Sequence, residues 1–310
     1  MSARVRCAVV VVAAAALAAA VAAAGQQRQR PVFRAVGALV TVEVQVRDGN
    51  RLVPGLTAAD FEVRDNGVPQ TVEMLDVESL PIDLTLVVDV SGSVRPIIEE
   101  LRVYTRESAA ALRVDDRFRL ITFSSEIREL TPLMPAAEAP PVETIAIEAA
   151  TSIVDAAVAA LLRTRERDRR QIVVLFTDGI ETNSALDVAA LDIVAKRSDT
   201  VLYVFIVRQP MADWLTLAWH PANSRWHWLS RVEMPIRELS AAAQATGGTL
   251  QELNVRTQLP ALLRRTLEEF RTSYVLRYAP TGVASDGWHT IDVRAKGHTV
   301  RARPGYFAGR

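Results

Sequence analysis

Hydrophobic residues follow two patterns along this chain. Between positions 40 and 46, four valines alternate with polar residues, and a period of two is typical of a strand with one buried face. Residues 84–88, 172–176 and 201–207 instead form runs that are almost entirely apolar. Such runs are typical of strands in a parallel sheet that helices cover on both faces. The chain is therefore predicted to combine half-buried strands with a fully buried sheet.

Helical segments separate the apolar runs. Strand and helix alternate, which predicts an α/β fold with a mostly parallel sheet and right-handed crossovers. Ser184, with Asp187 three residues later, is predicted to cap the helix that follows it. Residues 132–141 are rich in proline and predict a loop. The predicted helices cover about residues 97–112, 151–162, 185–197, 236–245 and 258–271.

The start of the chain predicts export. Residues 1 to about 24 read as a secretory signal peptide, because two arginines precede an apolar run at residues 8–21 and three alanines follow it. That run is short for a membrane span, and an uncleaved N-terminal anchor is the alternative. Cys7 is the only cysteine, so the mature chain would form no disulfide. The expected location is the periplasm or the surrounding medium.

The first apolar run ends in oxygen-bearing side chains. Asp89, Ser91 and Ser93 follow it directly, and open α/β sheets bind ligands at the carboxyl ends of their strands. Carboxylate and hydroxyl oxygens suit Mg²⁺, Mn²⁺ or Ca²⁺ better than zinc or copper. Taken alone, the three residues fit a serine-containing helix cap at least as well as a metal site.

Two later segments strengthen the metal interpretation. The apolar run at residues 172–176 leads to Thr177 and Asp178, which repeats the design of a buried strand that ends in a carboxylate. Between the two strands, Thr151 places a hydroxyl at the start of a predicted helix. Oxygen ligands are therefore expected in three loops at one edge of the sheet.

These residues resemble the metal-ion-dependent adhesion site of von Willebrand factor type A (vWA) domains. Asp89, Ser91 and Ser93 match the first loop of that site, Thr151 matches the second loop, and Asp178 matches the third. The chain departs from the usual pattern in one respect, because two alanines precede Thr151 where a pair of glycines is usual.

The resemblance implies a role for each matched residue. Ser91, Ser93 and Thr151 would contact a metal through neutral hydroxyls, and Asp89 and Asp178 would bind it directly or through water. Two carboxylates only offset one divalent cation, so an open coordination position stays electrophilic and accepts a partner's carboxylate. Mg²⁺ is the expected cofactor, with Mn²⁺ and Ca²⁺ as alternatives. The expected partner is a protein that presents an acidic residue.

The segments on either side resemble secreted bacterial proteins related to vWA domains, a subfamily first described in acidobacteria. The resemblance implies a Rossmann-like vWA domain at residues 81–271, with a mostly parallel sheet flanked by helices, between β-rich segments at 25–80 and 272–310. The two ends of such a domain lie near each other. Residues 31–80 are therefore expected to join 272–310 in one β-sandwich, and two independent β extensions are the alternative.

Residues 209–235 exceed what a minimal vWA domain needs. The segment follows a parallel strand, so it is predicted to lie near the metal loops and to form a ligand-contact rim of aromatic rings. The alternative is that the rings pack on each other and only hold the loop. Four of the five tryptophans lie here: Trp214, Trp219, Trp226 and Trp228.

Three functions are compatible with these features. The favoured one is an exported, cation-dependent protein-binding module that is not an enzyme. An envelope scaffold with a structural metal is the alternative, and a metal-dependent hydrolase is less favoured. An aspartyl phosphotransferase would need a second acid where Ser91 stands, and the sequence has no Gly-x-Ser-x-Gly, His-Glu-x-x-His or Walker motif. With 36 basic and 36 acidic residues, the charge does not favour nucleic acid, and no membrane span is expected after signal cleavage.

Overall fold

The computed structural model describes most of the chain from residue 39 onward. The chain divides into two compact units, Met1–Gly37 and Ala38–Arg310, and every described residue lies in the second. The predicted signal peptide, Ser93 and the four tryptophans of residues 209–235 lie outside the described residues. The described residues are 39–75, 80–92, 94, 98–140, 150–163, 166, 168–207, 235–253 and 259–309.

The described ranges contain fifteen strands and five α-helices. The strands are β1 (Val40–Asp48), β2 (Arg51–Leu52), β3 (Phe61–Asp65), β4 (Val68–Gln70), β5 (Glu73–Leu75), β6 (Ile82–Asp89), β7 (Arg117–Phe123), β8 (Ile127–Pro135), β9 (Arg170–Thr177), β10 (Val201–Val207), β11 (Thr249–Leu253), β12 (Tyr274–Tyr278), β13 (Gly287–Ala295), β14 (Thr299–Ala302) and β15 (Gly305–Ala308). The helices are α1 (Ile98–Ala110), α2 (Ile153–Leu161), α3 (Val188–Arg197), α4 (Ile236–Ala245) and α5 (Leu259–Arg271). None of the described helices is long and apolar enough to cross a membrane.

A six-stranded sheet forms the centre of the molecule, with the order β11-β10-β9-β6-β7-β8. All neighbouring strands are parallel except β7 and β8. Alternate side chains of each central strand point to opposite faces, so Leu86 packs with α1 and α5 while Val87 packs with α2, α3 and α4. Burial on both faces explains why these strands read as continuous apolar runs. The predicted α/β fold, with its mostly parallel sheet between helices, is confirmed.

The outermost strand beside β7 differs from the prediction. Residues 132–141 were expected to form a proline-rich loop, but β8 continues to Pro135 and pairs antiparallel with β7. Proline is tolerated in an edge strand, because its missing N–H belongs on the side that has no neighbour. Most of the first half of β8 is exposed, as expected for the outermost strand.

The β-rich segments on either side of the α/β part pair with each other. Strand β1 lies between β12 and β14, and β13 lies beside β3, so strands from both ends of the chain share both sheets. The two sheets have one hydrophobic core, in which the rings of Phe61 and Tyr274 lie 5.2 Å apart. The segments are therefore not independent extensions. Where the domains begin and end in the sequence stays a prediction.

Polar contacts join the amino-terminal edge of the central sheet to the β-rich part. Arg170, at the start of β9, forms an ion pair of 2.7 Å with Glu43 of β1 and donates a hydrogen bond to Ser273. The Gln45 amide donates to the Tyr203 hydroxyl at 2.9 Å. Arg170 lies at the amino end of β9, whereas the predicted metal loops follow the carboxyl ends of the strands.

Candidate metal site

Two carboxylates lie at the ends of neighbouring strands. Asp89 is the last residue of β6, and Asp178 directly follows the last residue of β9. The two strands are parallel neighbours in which Val88 pairs with Phe176, so both carboxylates reach the same sheet edge. Asp89 is fully buried and Asp178 is only 4% exposed. The sequence predicted this placement correctly.

Hydrogen bonds hold the Asp89 carboxylate in one orientation. Its Oδ1 accepts the backbone N–H of Ser91 at 2.9 Å, and its Oδ2 accepts the hydroxyl of Thr177 at 2.6 Å. The Thr177 oxygen in turn accepts the N–H of Gly179 at 3.1 Å. Thr177 therefore links the first and third loops, a role that the sequence did not predict, since a threonine at the end of a buried strand has many other uses.

The electrostatic state of Asp89 is unusual. Burial raises the pKa of this carboxyl most, the nearby Asp178 raises it further, and the hydrogen bonds from Ser91 and Thr177 lower it, with a net pKa of about 7. Two carboxylates in a buried setting repel each other, and either a proton or a cation relieves that repulsion. The pair is therefore suited to hold positive charge.

The loop that carries Thr151 is attached to the loop that carries Asp178. The Thr151 carbonyl accepts the N–H groups of Thr182 at 3.0 Å and Asn183 at 2.9 Å, and the Thr151 N–H donates to the Thr182 hydroxyl at 2.9 Å. Thr151 itself is 3% exposed, and Ser91 is 1% exposed. The structure thus places the second and third loops side by side, next to the strand end that supplies Asp89.

Ser184 caps a different helix from the predicted one. Asp187 is the N-cap of α3 and accepts the N–H of Ala190 at 2.9 Å. The Ser184 hydroxyl instead accepts the N–H groups of Val154 at 3.1 Å and Asp155 at 3.2 Å in the first turn of α2. The prediction was wrong because spacing along the chain identifies a potential cap but not the helix end that lies nearest to it in space.

Glu181 is a further buried residue of the third loop that the sequence did not single out. It is 7% exposed, and its two oxygens accept hydrogen bonds from both the α2 terminus and its own loop. The available signal was an acidic residue three positions after Asp178, which alone does not distinguish a buried side chain from an exposed one.

The oxygen ligands that the described residues offer fit a hard divalent cation. Asp89, Asp178, Ser91 and Thr151 offer only oxygen, and both carboxylates are buried. The described residues contain no group of three or more His, Cys, Asp and Glu side chains arranged for a metal, so a site here depends on hydroxyl ligands. Ser93, the fifth predicted ligand, stays a prediction.

Comparison with known proteins gives one family match. Residues 67–214 match the family model described as a VWA domain containing CoxE-like protein. The matched range includes all five predicted ligand positions: Asp89, Ser91, Ser93, Thr151 and Asp178. No curated protein sequence matches the chain.

Several solved structures are similar to this chain. VWA2, the ArnB paralogue from Sulfolobus acidocaldarius, is 10% identical with a TM-score of 0.47 and covers 85% of this chain and 73% of its own. The pilus adhesin SpaC from Lactobacillus rhamnosus GG is 11% identical with a TM-score of 0.47, over 87% of this chain and 47% of its own. Proximal thread matrix protein 1 from the mussel byssus, solved with a zinc-occupied MIDAS motif, is 12% identical with a TM-score of 0.44, over 66% of this chain and 49% of its own.

The region that is similar to this chain spans about half the length of the mussel protein and about half the length of the pilus adhesin. The family match lies over strands β6, β7, β8, β9 and β10, which are the strands that build and flank the candidate site. The family match and the sheet topology together show that the centre of this chain has a vWA-like α/β fold, and they support its description as a vWA-type protein.

Proposed function

We propose that this chain is an exported protein-binding module of the adhesion type that depends on a divalent cation. Asp89, Ser91, Ser93, Thr151 and Asp178 would hold the cation at the carboxyl edge of the central sheet. Mg²⁺ is the favoured ion, with Mn²⁺ and Ca²⁺ as alternatives. The partner would be a protein that presents an acidic side chain.

One observation carries this proposal. Asp89 and Asp178 are both buried, and Asp178 contributes to raising the pKa of Asp89. Such a pair disfavours the metal-free fold and would be relieved by a cation that the same oxygens can bind. The buried hydroxyls of Ser91 and Thr151 lie on the loops that adjoin this pair.

Charge balance supports binding rather than hydrolysis. When bound, the cation would supply a positive charge that two carboxylates offset without excess, so it could still attract a carboxylate from a partner. Asp89 is held by Ser91 and Thr177, which fixes its orientation for a ligand and leaves it poorly placed to act as a mobile nucleophile. We therefore favour a non-enzymatic module.

The location and the contact surface are part of the same proposal. The predicted signal peptide supports secretion or a periplasmic location. The candidate loops follow the carboxyl ends of the strands, whereas Arg170, which pairs with Glu43 of the β-rich part, lies at the amino end of β9. The four tryptophans of residues 209–235 are proposed as a contact rim beside it.

Metal binding is the first test of the proposal. Isothermal titration of Mg²⁺, and then Mn²⁺ and Ca²⁺, into the chain from Gly25 onward should show one saturable site. Asp178→Ala should abolish this binding, because it removes one of the two carboxylates that offset the cation. Thermal melting of the same two proteins in EDTA serves as the control for folding.

The same variant separates adhesion from a scaffold with a structural metal. An adhesion module with Asp178→Ala loses its partners in a Mg²⁺-dependent pull-down but stays folded in EDTA. A scaffold with the same substitution melts at a lower temperature in Mg²⁺ and keeps its partners. A wild-type chain that binds none of Mg²⁺, Mn²⁺ and Ca²⁺ would contradict the proposed function.

A further inference from the structure

Glu181 lies between two of the loops that carry candidate ligands. It follows Asp178 by three residues in the third loop, and it is adjacent in space to the first turn of α2, which begins two residues after Thr151. The side chain is 7% exposed, so its carboxylate is almost removed from water. A buried carboxylate is costly unless hydrogen bonds compensate it.

Five hydrogen-bond donors converge on this carboxylate. Oε2 accepts the N–H of Ile153 at 2.7 Å, the N–H of Val154 at 3.2 Å and the hydroxyl of Ser184 at 2.7 Å. Oε1 accepts the N–H groups of Asn183 and Ser184, both at 2.8 Å. One oxygen therefore binds mainly the second loop's helix, and the other binds the third loop.

Other contacts join the same two segments in both directions. Asp155 in α2 accepts the N–H groups of Ala185 at 2.8 Å and Leu186 at 2.9 Å. The Asn183 amide donates to the Ser152 hydroxyl at 3.2 Å. Of the two carboxylates that join these segments, Glu181 is the one closer in sequence to Asp178.

We propose that Glu181 is a positioning residue for the candidate metal site. Its carboxylate fixes the Thr151 loop against the Asp178 loop, so that the two ligands lie at the spacing that one cation needs. Glu181 does not itself contact the cation. The inference rests on the proposed function, because it assigns a role at the same site.

The chemistry of the five contacts requires a carboxylate. Every partner donates a hydrogen, and an ionised carboxylate has about four acceptor positions and no donor. A glutamine of the same size keeps one acceptor oxygen but directs an NH₂ group at donors. Glu181→Gln therefore disturbs the junction of the two loops while it preserves the side-chain volume and leaves all predicted ligands in place.

Metal affinity measured beside stability tests this role. Isothermal titration of Mg²⁺ into the full chain should give binding that is about 10- to 100-fold weaker for Glu181→Gln than for wild type, the range typical of residues that orient metal ligands. Melting temperatures in EDTA are recorded for both proteins, because a residue that only stabilises the fold would change the melting temperature without changing the affinity of the folded protein.

Asp116 provides a matched control. It is 1% exposed, accepts the N–H groups of Ile82 at 2.8 Å and Arg113 at 2.7 Å and forms an ion pair with Arg271, so it is also a buried carboxylate that accepts backbone hydrogen bonds. It lies at the opposite edge of the sheet, where β6 begins. Asp116→Asn should lower the melting temperature at least as much as Glu181→Gln and change the Mg²⁺ affinity by less than about two-fold.

The possible results separate this inference from the proposed function. If wild type binds Mg²⁺ and Glu181→Gln binds equally well, the positioning role is wrong and the metal site stands. Equal losses of affinity in Glu181→Gln and Asp116→Asn would also overturn the role, because general destabilisation would explain both. If wild type does not bind, both proposals fail.

A milder variant covers the case in which Glu181→Gln does not fold. Ser184→Ala retains Glu181 but removes one donor to Oε2 and the acceptor for the N–H groups of Val154 and Asp155. It should weaken Mg²⁺ binding in the same direction by a smaller factor. Unchanged affinity in this folded variant would count against the role.

Discussion

Asp89 shows how a single residue can be unfavourable for folding and still suit a binding function. Burial and the adjacent Asp178 both raise its pKa, so the ionised side chain is less stable in the folded chain than in water. In the unfolded chain the carboxyl titrates near its ordinary value. The folded, metal-free protein therefore loses stability as the pH rises from 3.8 to about 7, and above about 7 it carries the full electrostatic cost at this position.

Asp89→Asn should accordingly stabilise the metal-free chain at pH 8. The substitution removes the buried charge and its repulsion with Asp178, and asparagine keeps an acceptor for one of the two donors. We expect a melting temperature in EDTA that is higher by a few degrees, since about 1 kcal/mol corresponds to roughly 2–4 °C for a chain of this size.

Addition of Mg²⁺ should reverse the ranking of the two proteins. Wild type should gain melting temperature through binding to its folded state, whereas Asp89→Asn should gain nothing. Differential scanning calorimetry with and without EDTA measures both effects. A variant that melts below wild type in EDTA would show that the hydrogen bonds from Ser91 and Thr177 outweigh the charge repulsion.

At the scale of elements, the turn between α4 and β11 depends on close backbone contact. Gly247 has a φ of +88°, and its N–H donates a hydrogen bond to the Gln244 carbonyl at 2.9 Å. The N–H of Gly248 donates to the Ala243 carbonyl, also at 2.9 Å. These bonds end α4 and return the chain into the sheet. A Cβ at Gly248 would lie 1.8 Å from the Leu202 carbonyl oxygen.

Gly248→Ala should therefore destabilise the chain through a steric clash with β10. We expect a loss of about 3 kcal/mol in the free energy of unfolding, the upper end of the usual cost of overpacking, because the clash is with backbone that cannot rotate away. Gly49→Ala is the control: its φ is +56° but no atom lies within 4 Å of the added Cβ. It should lose roughly 1–2 kcal/mol from backbone conformation alone.

Urea denaturation of the two glycine variants measures this difference. A Gly248→Ala protein that is as stable as Gly49→Ala would mean that β11 can move away from β10 at little cost.

Two elements have the boundaries that the sequence predicted: the apolar run at residues 201–207 forms β10, and residues 236–245 form α4. The first depends on a continuous apolar run and the second on helical periodicity that ends at two glycines, and both are local signals.

At the scale of the whole molecule, one buried arginine joins the α/β part to the β-rich part. Arg170 is 3% exposed, and its guanidinium lies 4.2 Å from the centre of the Phe270 ring. It pairs with Glu43 of β1 and donates to the carbonyl of Phe270 and the hydroxyl of Ser273. Removal of the Arg170 guanidinium would leave the Glu43 carboxylate, which is largely buried, without its main partner.

Arg170→Met should lower the free energy of unfolding by about 3–5 kcal/mol, the usual cost of breaking a buried ion pair by removing one partner. Its Mg²⁺ affinity should not change, because Arg170 lies at the amino end of β9 and Asp178 at the carboxyl end. Calorimetry should show one transition, since residues 38–310 form one compact unit.

Arg264→Ala is the matched control for the loss of an arginine. Arg264 pairs with Glu107 at 3.1 Å, but its side chain is 53% exposed, so the expected loss is about 1 kcal/mol or less. If Arg170→Met were no less stable than Arg264→Ala, the contact between the two parts of the molecule would not contribute to folding.

Local sequence patterns were enough to predict the type of each central element and the residues that end the strands. A strand that is buried on both faces must be apolar throughout, so Asp89 and Asp178 were recognisable as the points where β6 and β9 reach the sheet edge. Their chemistry, two carboxylates with hydroxyls, was likewise readable before any fold was known. These features are local, because they depend on neighbours within a few residues.

The sequence led us to expect that the two β-rich ends of the chain meet, but which strands pair became visible only in the folded chain. Strand β1 pairs with β12 and β14, which lie more than 200 residues later, and no periodicity in β1 specifies those partners. Ser184 caps α2 rather than α3, and Glu181 is buried against the same helix, because the third loop folds onto the start of α2. The physical reason is that a side chain with hydrogen-bonding capacity is satisfied by whichever donor packing brings near, and packing is set by the whole chain.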